Sequence, residues 1–342
     1  MKKITISSIG MIAVIVTGLA IPMCRSATLM DRDDYQWRRL NGPWSATVHG
    51  LAMFPGDPNH LMAASSGGVF HSYNGGESWV PHSAGLTDVM PMSHIRFHPT
   101  NPEIILMTGS EPFDGMCPVF RSEDGGETWT DLGFNGQWND IWIHRTQPDR
   151  YLLGGEGGLA LSNDAGGSWT VLNSDHYFFE FIDDPGDPDR IYAAIDSEGV
   201  AVSTDGGLTW EFRGAVKTPD IDSRPNTRGI ALIPGDPVTL IACRRWRTSE
   251  LEGEITRSVD GGYTWETMFD QGANRVRVAP SNPRVLWACG GNNHFDDWRE
   301  TWIYRSTDAG QTWAEVFYAK GGMGFDLQIH PDDPYTVYVG VL

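Results

Sequence analysis

The sequence predicts an all-β fold, a seven-bladed β-propeller of four-stranded antiparallel blades, and three observations carry that prediction. An octapeptide close to Ser-x-Asp-x-Gly-x-Thr-Trp is written six times. A Pro-x-x-Pro turn, or a close variant of it, is written seven times. Between them lie apolar runs of four to seven residues bounded by Gly, Pro, Asn and Asp, with no long stretch of helical periodicity. That is the pattern of short strands joined by tight turns.

The octapeptides begin at Ser72, Ser122, Ser162, Ser203, Ser258 and Ser306, with spacings of 50, 40, 41, 55 and 48 residues. Asn74 replaces the Asp once, and Ser78 and Ser168 replace the Thr. A period of this size belongs to solenoids, propellers or arrays.

Each unit reads in the same order. An apolar strand A runs into the Pro turn, at Pro55/Pro58, Pro99/Pro102, Arg145/Pro148, Pro185/Pro188, Pro234/Pro237, Pro280/Pro283 and Pro331/Pro334. Strand B follows, as in Ile191-Tyr192-Ala193, and then a loop of uneven length. Strand C, such as Val119-Phe120, enters the octapeptide, and strand D, such as Thr130-Asp131-Leu132, leaves it. The octapeptide is thus a hairpin turn. Its Asp can accept bonds from the turn's own N–H groups, its Gly supplies a positive φ, and its Trp packs beneath.

Seven Pro turns face six octapeptides, and the chain ends account for the difference. Trp37 lies 18 residues before Pro55, as Trp313 lies 18 before Pro331, so Trp37-Arg38-Arg39-Leu40 reads as a strand D. Val337-Tyr338-Val339 reads as a strand B. The last blade is therefore expected to be closed by the N-terminal strand and to lack strand C. Either it has three strands or the chain is C-terminally incomplete; the second is the expectation, and a further propeller could follow.

Residues 1–26 read as a signal peptide, with Lys2 and Lys3 before an apolar run from Ile4 to about Met23. A retained anchor is the rival, since the run nearly spans a bilayer. Cys24 raises a lipoprotein, although Pro22 and Met23 stand where small residues belong. Residues 27–342 form the propeller, and the protein is expected to be secreted, periplasmic or extracellular and a monomer. Cys117, Cys243 and Cys289 have no metal-ligand spacing and read as small buried side chains. The formal charge of −19 excludes nucleic acid and disfavours an anionic membrane surface, because phosphate binding needs basic patches. No cofactor and no metal are implied. Calcium is not expected at the Asp-Gly-Gly turns, which lack alternating acidic ligands.

The octapeptides resemble Asp-box repeats, also called bacterial neuraminidase repeats, over about residues 37–342. Propellers of that family include sialidases, xyloglucanase-type glycoside hydrolases, sortilin-type receptors and photosystem II assembly factors. The Pro-turn spacing is most similar to the xyloglucanase and sortilin branch. The resemblance implies the fold, and it implies enzymes and binders alike. Two departures bear on activity. The xyloglucanase-type catalytic Asp would fall near Ser65 in AASSGGVF, where no acid stands, and the Arg-Ile-Pro stretch of sialidases is absent.

Six equivalent turns read as frame, so function is sought on the opposite face, where the D-to-A and B-to-C loops lie. Long loops run from Ser110 to Pro118, Arg213 to Arg228, Arg244 to Glu254 and Gly290 to Thr301. Aligning the seven strands A on their turns places Gly50, His94, Asp140, Glu180, Gly229, Arg275 and Asp326 at one level. One residue earlier stand His49 and Arg228, among others. His49, His94, Asp140, Glu180, Arg228, Arg275 and Asp326 are therefore candidates to ring the channel mouth. Asp140, Glu180 and Asp326 are the catalytic candidates, paired as Asp140 with Asp326 or Glu180 with Asp326, since glycoside hydrolysis uses two carboxyls about 5–10 Å apart. Trp44, Trp138, Trp246 and Trp298 are candidate sugar-stacking rings on the same face. The expected activity is glycan binding or glycoside hydrolysis. The alternatives are a non-enzymatic propeller for a protein or peptide, and an assembly factor, for which Arg244, Arg245 and Arg247 supply only a small basic cluster.

Overall fold

The structure is a computed structural model and describes residues 14–16, 37–40, 47–86, 92–109, 118–196, 198–214, 226–245, 253–293, 299–320 and 323–341. The described residues contain strands and turns and no helix. Two short strands come first, β1 (Val14–Val16) and β2 (Trp37–Arg39). Blade one is β3 (Val48–Phe54), β4 (Asp57–Ser65), β5 (Gly68–Ser72) and β6 (Val80–Pro81). Blade two is β7 (Met92–Phe97), β8 (Ile105–Gly109), β9 (Val119–Ser122) and β10 (Thr130–Asp131). Blade three is β11 (Trp138–Ile143), β12 (Tyr151–Gly155), β13 (Gly158–Ser162) and β14 (Thr170–Asn173). Blade four is β15 (Phe178–Asp184), β16 (Asp187–Ile195), β17 (Gly199–Ser203) and β18 (Glu211–Phe212). Blade five is β19 (Asn226–Ile233), β20 (Thr239–Arg245), β21 (Gly253–Ser258) and β22 (Glu266–Phe269). Blade six is β23 (Arg275–Ala279), β24 (Asn282–Asn293), β25 (Arg299–Ser306) and β26 (Ala314–Lys320). The chain then adds β27 (Gly324–Ile329) and β28 (Val337–Val341).

The protein is thus a β-propeller of antiparallel blades, with six complete four-stranded sheets rather than the seven blades expected. The remaining strands form two pairs, β27 with β28 and β1 with β2. Val14–Val16, inside the segment read as a leader, pairs with Trp37–Arg39 and lies against β28. β27 stands between β23 and β3 and so closes the ring.

The octapeptide explains why the turns recur. At Ser258 the hydroxyl donates to Asp260 Oδ1 at 2.7 Å and accepts the Gly262 N–H at 2.8 Å. Asp260 accepts the Thr264 N–H at 2.9 Å and its hydroxyl at 2.6 Å. The Trp265 Nε1–H closes on the Gly262 carbonyl at 2.8 Å. The two central residues are left-handed, as at Gly261 (φ 72) and Gly262 (φ 100), which is why glycine recurs there. In two copies the first of these is alanine, at Ala165 (φ 56) and Ala309 (φ 62).

Each octapeptide Trp enters the apolar cluster between its own blade and the one before. Trp210 joins Leu152, Phe178 and Phe181, and Trp265 joins Tyr192, Ile230 and Leu240. Trp37 takes the same role without an octapeptide, against Trp287, Val337 and Val339, as its spacing predicts. Each fully buried Leu, Ile or Val in these clusters stabilises by roughly 1.5–3 kcal/mol. Arginines add an outer clasp to the next blade's octapeptide. Arg121 donates to the Ala165 carbonyl, Arg150 to Asp205, Arg213 to Gly261 and Arg257 to Ala309.

Candidate functional site

The innermost strands share one local feature. A register shift lies between Val48 and Gly50, Met92 and Ile95, Trp138 and Asp140, Phe178 and Glu180, Thr227 and Gly229, and Gly324 and Asp326. A bulge bends a strand and re-aims its side chains. The aligned level read from the sequence is therefore a real structural level, set by a bulge in six strands.

At that level the three carboxylates do one job. Asp140 Oδ2 accepts the Phe181 N–H at 2.9 Å, Glu180 Oε2 accepts the Ile230 N–H at 2.9 Å, and Asp326 Oδ2 accepts the Leu51 N–H at 3.0 Å. Each donor is on the innermost strand of the next blade. Each second oxygen meets an arginine. Arg96 grips Asp140 with Nε at 3.1 Å and Nη2 at 2.7 Å. Arg277 Nη1 lies 2.6 Å from Glu180 Oε1, and its Nη2 donates to Asp326 Oδ1 at 3.3 Å. The structure thus joins Glu180 and Asp326 through Arg277 and gives Asp140 to Arg96. The Arg277 guanidinium stands between the carboxyls of Glu180 and Asp326.

Burial governs the electrostatics here. Burial raises the Asp326 pKa and Arg277 works against the rise. Burial is the largest influence on Arg277 and opposes its charge, but Glu180 and Asp326 together outweigh it and raise the pKa, which keeps the guanidinium protonated. His94 is held well below 6.5, by burial first and by Arg275 second. The neutral His94 ring faces Arg275 Nη2 through Nε2, so it accepts there and carries its proton on Nδ1. That contact crosses the channel from blade two to blade six. Arg275 Nη1 also donates to the Arg228 carbonyl at 2.9 Å. Arg228 lays its guanidinium 5.3 Å from the Phe179 ring centre. His49 packs on Phe325 at 5.0 Å, and burial lowers its pKa to about 4.

The tryptophans are divided. Trp138, expected on a loop as a stacking ring, lies in β11, is only 4% exposed and stacks on Phe134 in the core. A ring so placed offers no face to a sugar. Trp44, Trp246 and Trp298 lie outside the described residues, as do Cys24 and Cys117. Cys243 and Cys289 are free and buried, as expected.

The sequence reading passed over Arg96 and Arg277. They stand two residues after His94 and Arg275, and alternate residues of a strand share a face. Extending the alignment two places would have found them. They also line a cavity of about 400 Å³ in the channel. Its rim residues Pro99 and Pro185 belong to the Pro turns, so the cavity is at the end opposite the loops where a site was expected.

No family profile matches the chain, and no curated protein matches it. Solved structures do match. One is the GH74 xyloglucanase from Xanthomonas campestris, at 19% identity and a TM-score of 0.65 over 86% of this chain and 51% of that one. The chain thus spans about half the length of that enzyme. A second is YCF48 from Cyanidioschyzon merolae, at 16% identity and a TM-score of 0.58, over 89% of this chain and 98% of that one. A third is YCF48 bound to D1 peptide, at 15% identity and a TM-score of 0.57, over 87% and 94% of the two chains. At these identities the likeness shows the propeller fold.

Proposed function

We propose that the chain is an exported, non-catalytic binding propeller that holds a glycan on its loop face. One observation carries the non-catalytic part. Asp140, Glu180 and Asp326 each give one oxygen to the next blade's backbone and the other to an arginine. A general acid must present a proton to substrate and a nucleophile must present a lone pair, and these carboxyls are turned into the ring wall. Ser65, at the position where the xyloglucanase resemblance wants an acid, is fully buried and bonds the Gly68 carbonyl.

The six octapeptide turns support membership of the Asp-box type. The pairs β27–β28 and β1–β2 read as the seventh blade, because Trp37 packs there as the octapeptide tryptophans pack elsewhere. Export rests on Lys2, Lys3 and the apolar run that follows. Cleavage after residue 26 would remove β1, so the mass of the secreted protein decides between a leader and a retained strand.

A peptide in place of the glycan is the second reading. It is favoured by the likeness to a propeller solved with a peptide, which runs over nearly all of that chain. The test is a polysaccharide and peptide screen scored for binding and for reducing-end release. Binding without release supports the proposal. Release that disappears in Glu180→Gln or Asp326→Asn, with the fold intact, overturns it.

A further inference from the structure

The cavity at the Pro-turn end of the channel presents a different chemistry from the residues that build it. Its floor holds Arg96, Glu180 and Arg277, and Asp140 and Asp326 lie directly behind the two arginines. The carboxylate side chains of Asp140, Glu180 and Asp326 are 0%, 1% and 6% exposed, while those of Arg96 and Arg277 are 33% and 22% exposed. Acceptors are therefore behind and donors in front. A guanidinium has five N–H donors and no acceptor. The bonds of Arg96 to Asp140, Ile141 and Phe181 use Nε and Nη2, which leaves Nη1 on the cavity side. A polar group that enters must accept hydrogen bonds, and an anion does so best.

Two further features narrow the ligand. The charges around the floor are matched, four against four. Arg96, Arg277, Arg275 and the rim's Arg145 stand against Asp140, Glu180, Asp326 and the rim's Asp183, so an anion is held only by the exposed faces of Arg96 and Arg277, and a second negative charge would have no positive charge of its own to meet. Asp183 keeps one oxygen on Trp142 Nε1 at 2.6 Å, and Arg145 donates to the Asp184 and Pro185 carbonyls, so both rim charges are fixed in place. Above the floor the wall is apolar and partly accessible at Phe97, Ile182, Leu232 and Val278. A cavity of about 400 Å³ falls within the roughly 300–1,000 Å³ of small-molecule sites, and an apolar wall rewards an apolar body.

We propose that this cavity binds a small monocarboxylate with an apolar body, its carboxylate on Arg96 and Arg277 and its body against Ile182, Leu232 and Val278. The site is at the opposite end of the channel from the loops, so it stands whether or not the loop face holds a glycan.

The experiment titrates the purified protein with hexanoate, benzoate, their neutral amides and inorganic phosphate, by calorimetry and ligand-observed NMR. The expected result is saturable one-to-one binding of at least one carboxylate, at least tenfold weaker binding of its amide, and none of phosphate. Ile182→Trp, which fills the cavity and leaves the ion pairs alone, is expected to abolish the binding while the thermal midpoint holds. Val278→Phe serves the same end should that variant fail to fold. No carboxylate binding, equal binding of acid and amide, or binding that survives in the filled cavity would each overturn the proposal. The comparison of acid with amide needs no variant at all.

Discussion

The octapeptide turns and the channel ring are both repeated once per blade, yet they differ in kind. Six turns carry nearly the same residues, and in each the Ser hydroxyl accepts the N–H of the Gly four residues on. The inner level carries Gly50, His94, Asp140, Glu180, Gly229, Arg275 and Asp326, in seven settings. The turn closes on itself: the Ser, the Asp or Asn, and the Thr or Ser that bond one another lie within eight residues, so each copy keeps groups that can make the same local bonds. The ring closes on other blades. Its carboxylates reach the next strand's N–H, and its arginines reach across the channel, so a residue at one level is answered by a different residue far away. Sameness therefore marks local closure, and variety marks partners drawn from elsewhere. Variety at a channel mouth is not by itself a sign of catalysis.

The largest break in that contrast should come from the ring. Asp140→Ala removes a buried partner from Arg96 and orphans the Phe181 N–H. Breaking a buried pair this way costs about 3–5 kcal/mol, to be read as a fall in the urea midpoint. A midpoint unchanged from wild type would mean that Asp140 does not stitch the blades. In the turns, Asp260→Ala loses the bonds from Thr264 and Ser258 while Ser258 still holds the Gly262 N–H, and a loss of about 1.5–3 kcal/mol is expected in the same measurement. Equal losses at Asp140 and Asp260 would erase the distinction between ring and turn.

Acid should separate the two regions by pH. Burial lowers His49 to about 4, from an unfolded value near 6.5. A depressed histidine contributes stability that is fully present above pH 6.5 and is lost as pH falls towards 4. At Asp260 burial acts to raise the pKa, but bonds from Thr264 and Ser258 outweigh it and set it at about 2. Its stability is present above the ordinary value of 3.8 and is lost as pH falls through 2. Chemical denaturation from pH 7 to 3 should therefore show a slope above pH 4, shared with the buried His71 and His94, that His49→Asn reduces and Asp260→Asn leaves in place. The smallest effect is a gain. Ala165→Gly and Ala309→Gly relieve a left-handed alanine, and each should raise the thermal midpoint, by up to about 1 kcal/mol of stability. A fall would show that the methyl group's packing matters more than its backbone angle.

Much of the frame was legible. The turns, the order of strands, the role of Trp37 and the level of the bulges all follow from spacing, because a hairpin and its alternation involve near neighbours. Trp138 was misjudged because its place beside a loop hid that it begins β11 and stacks on Phe134. The pairing of Val14–Val16 with Trp37–Arg39 had no signal in the sequence, because a basic start with an apolar run says nothing of a strand partner.

By itself the sequence determined the all-β propeller and its period, since periodicity survives in one dimension. Only the tertiary structure decided what the inner-strand side chains do. Leu51 and Asp326 are 275 residues apart and His94 and Arg275 are 181 apart. No local signal connects them. The closing of the ring brings them together, and the low dielectric inside it makes each charge take the nearest donor or acceptor. Asp140, Glu180 and Asp326 thus became joints between blades, and the accessible charge in the channel passed to Arg96 and Arg277.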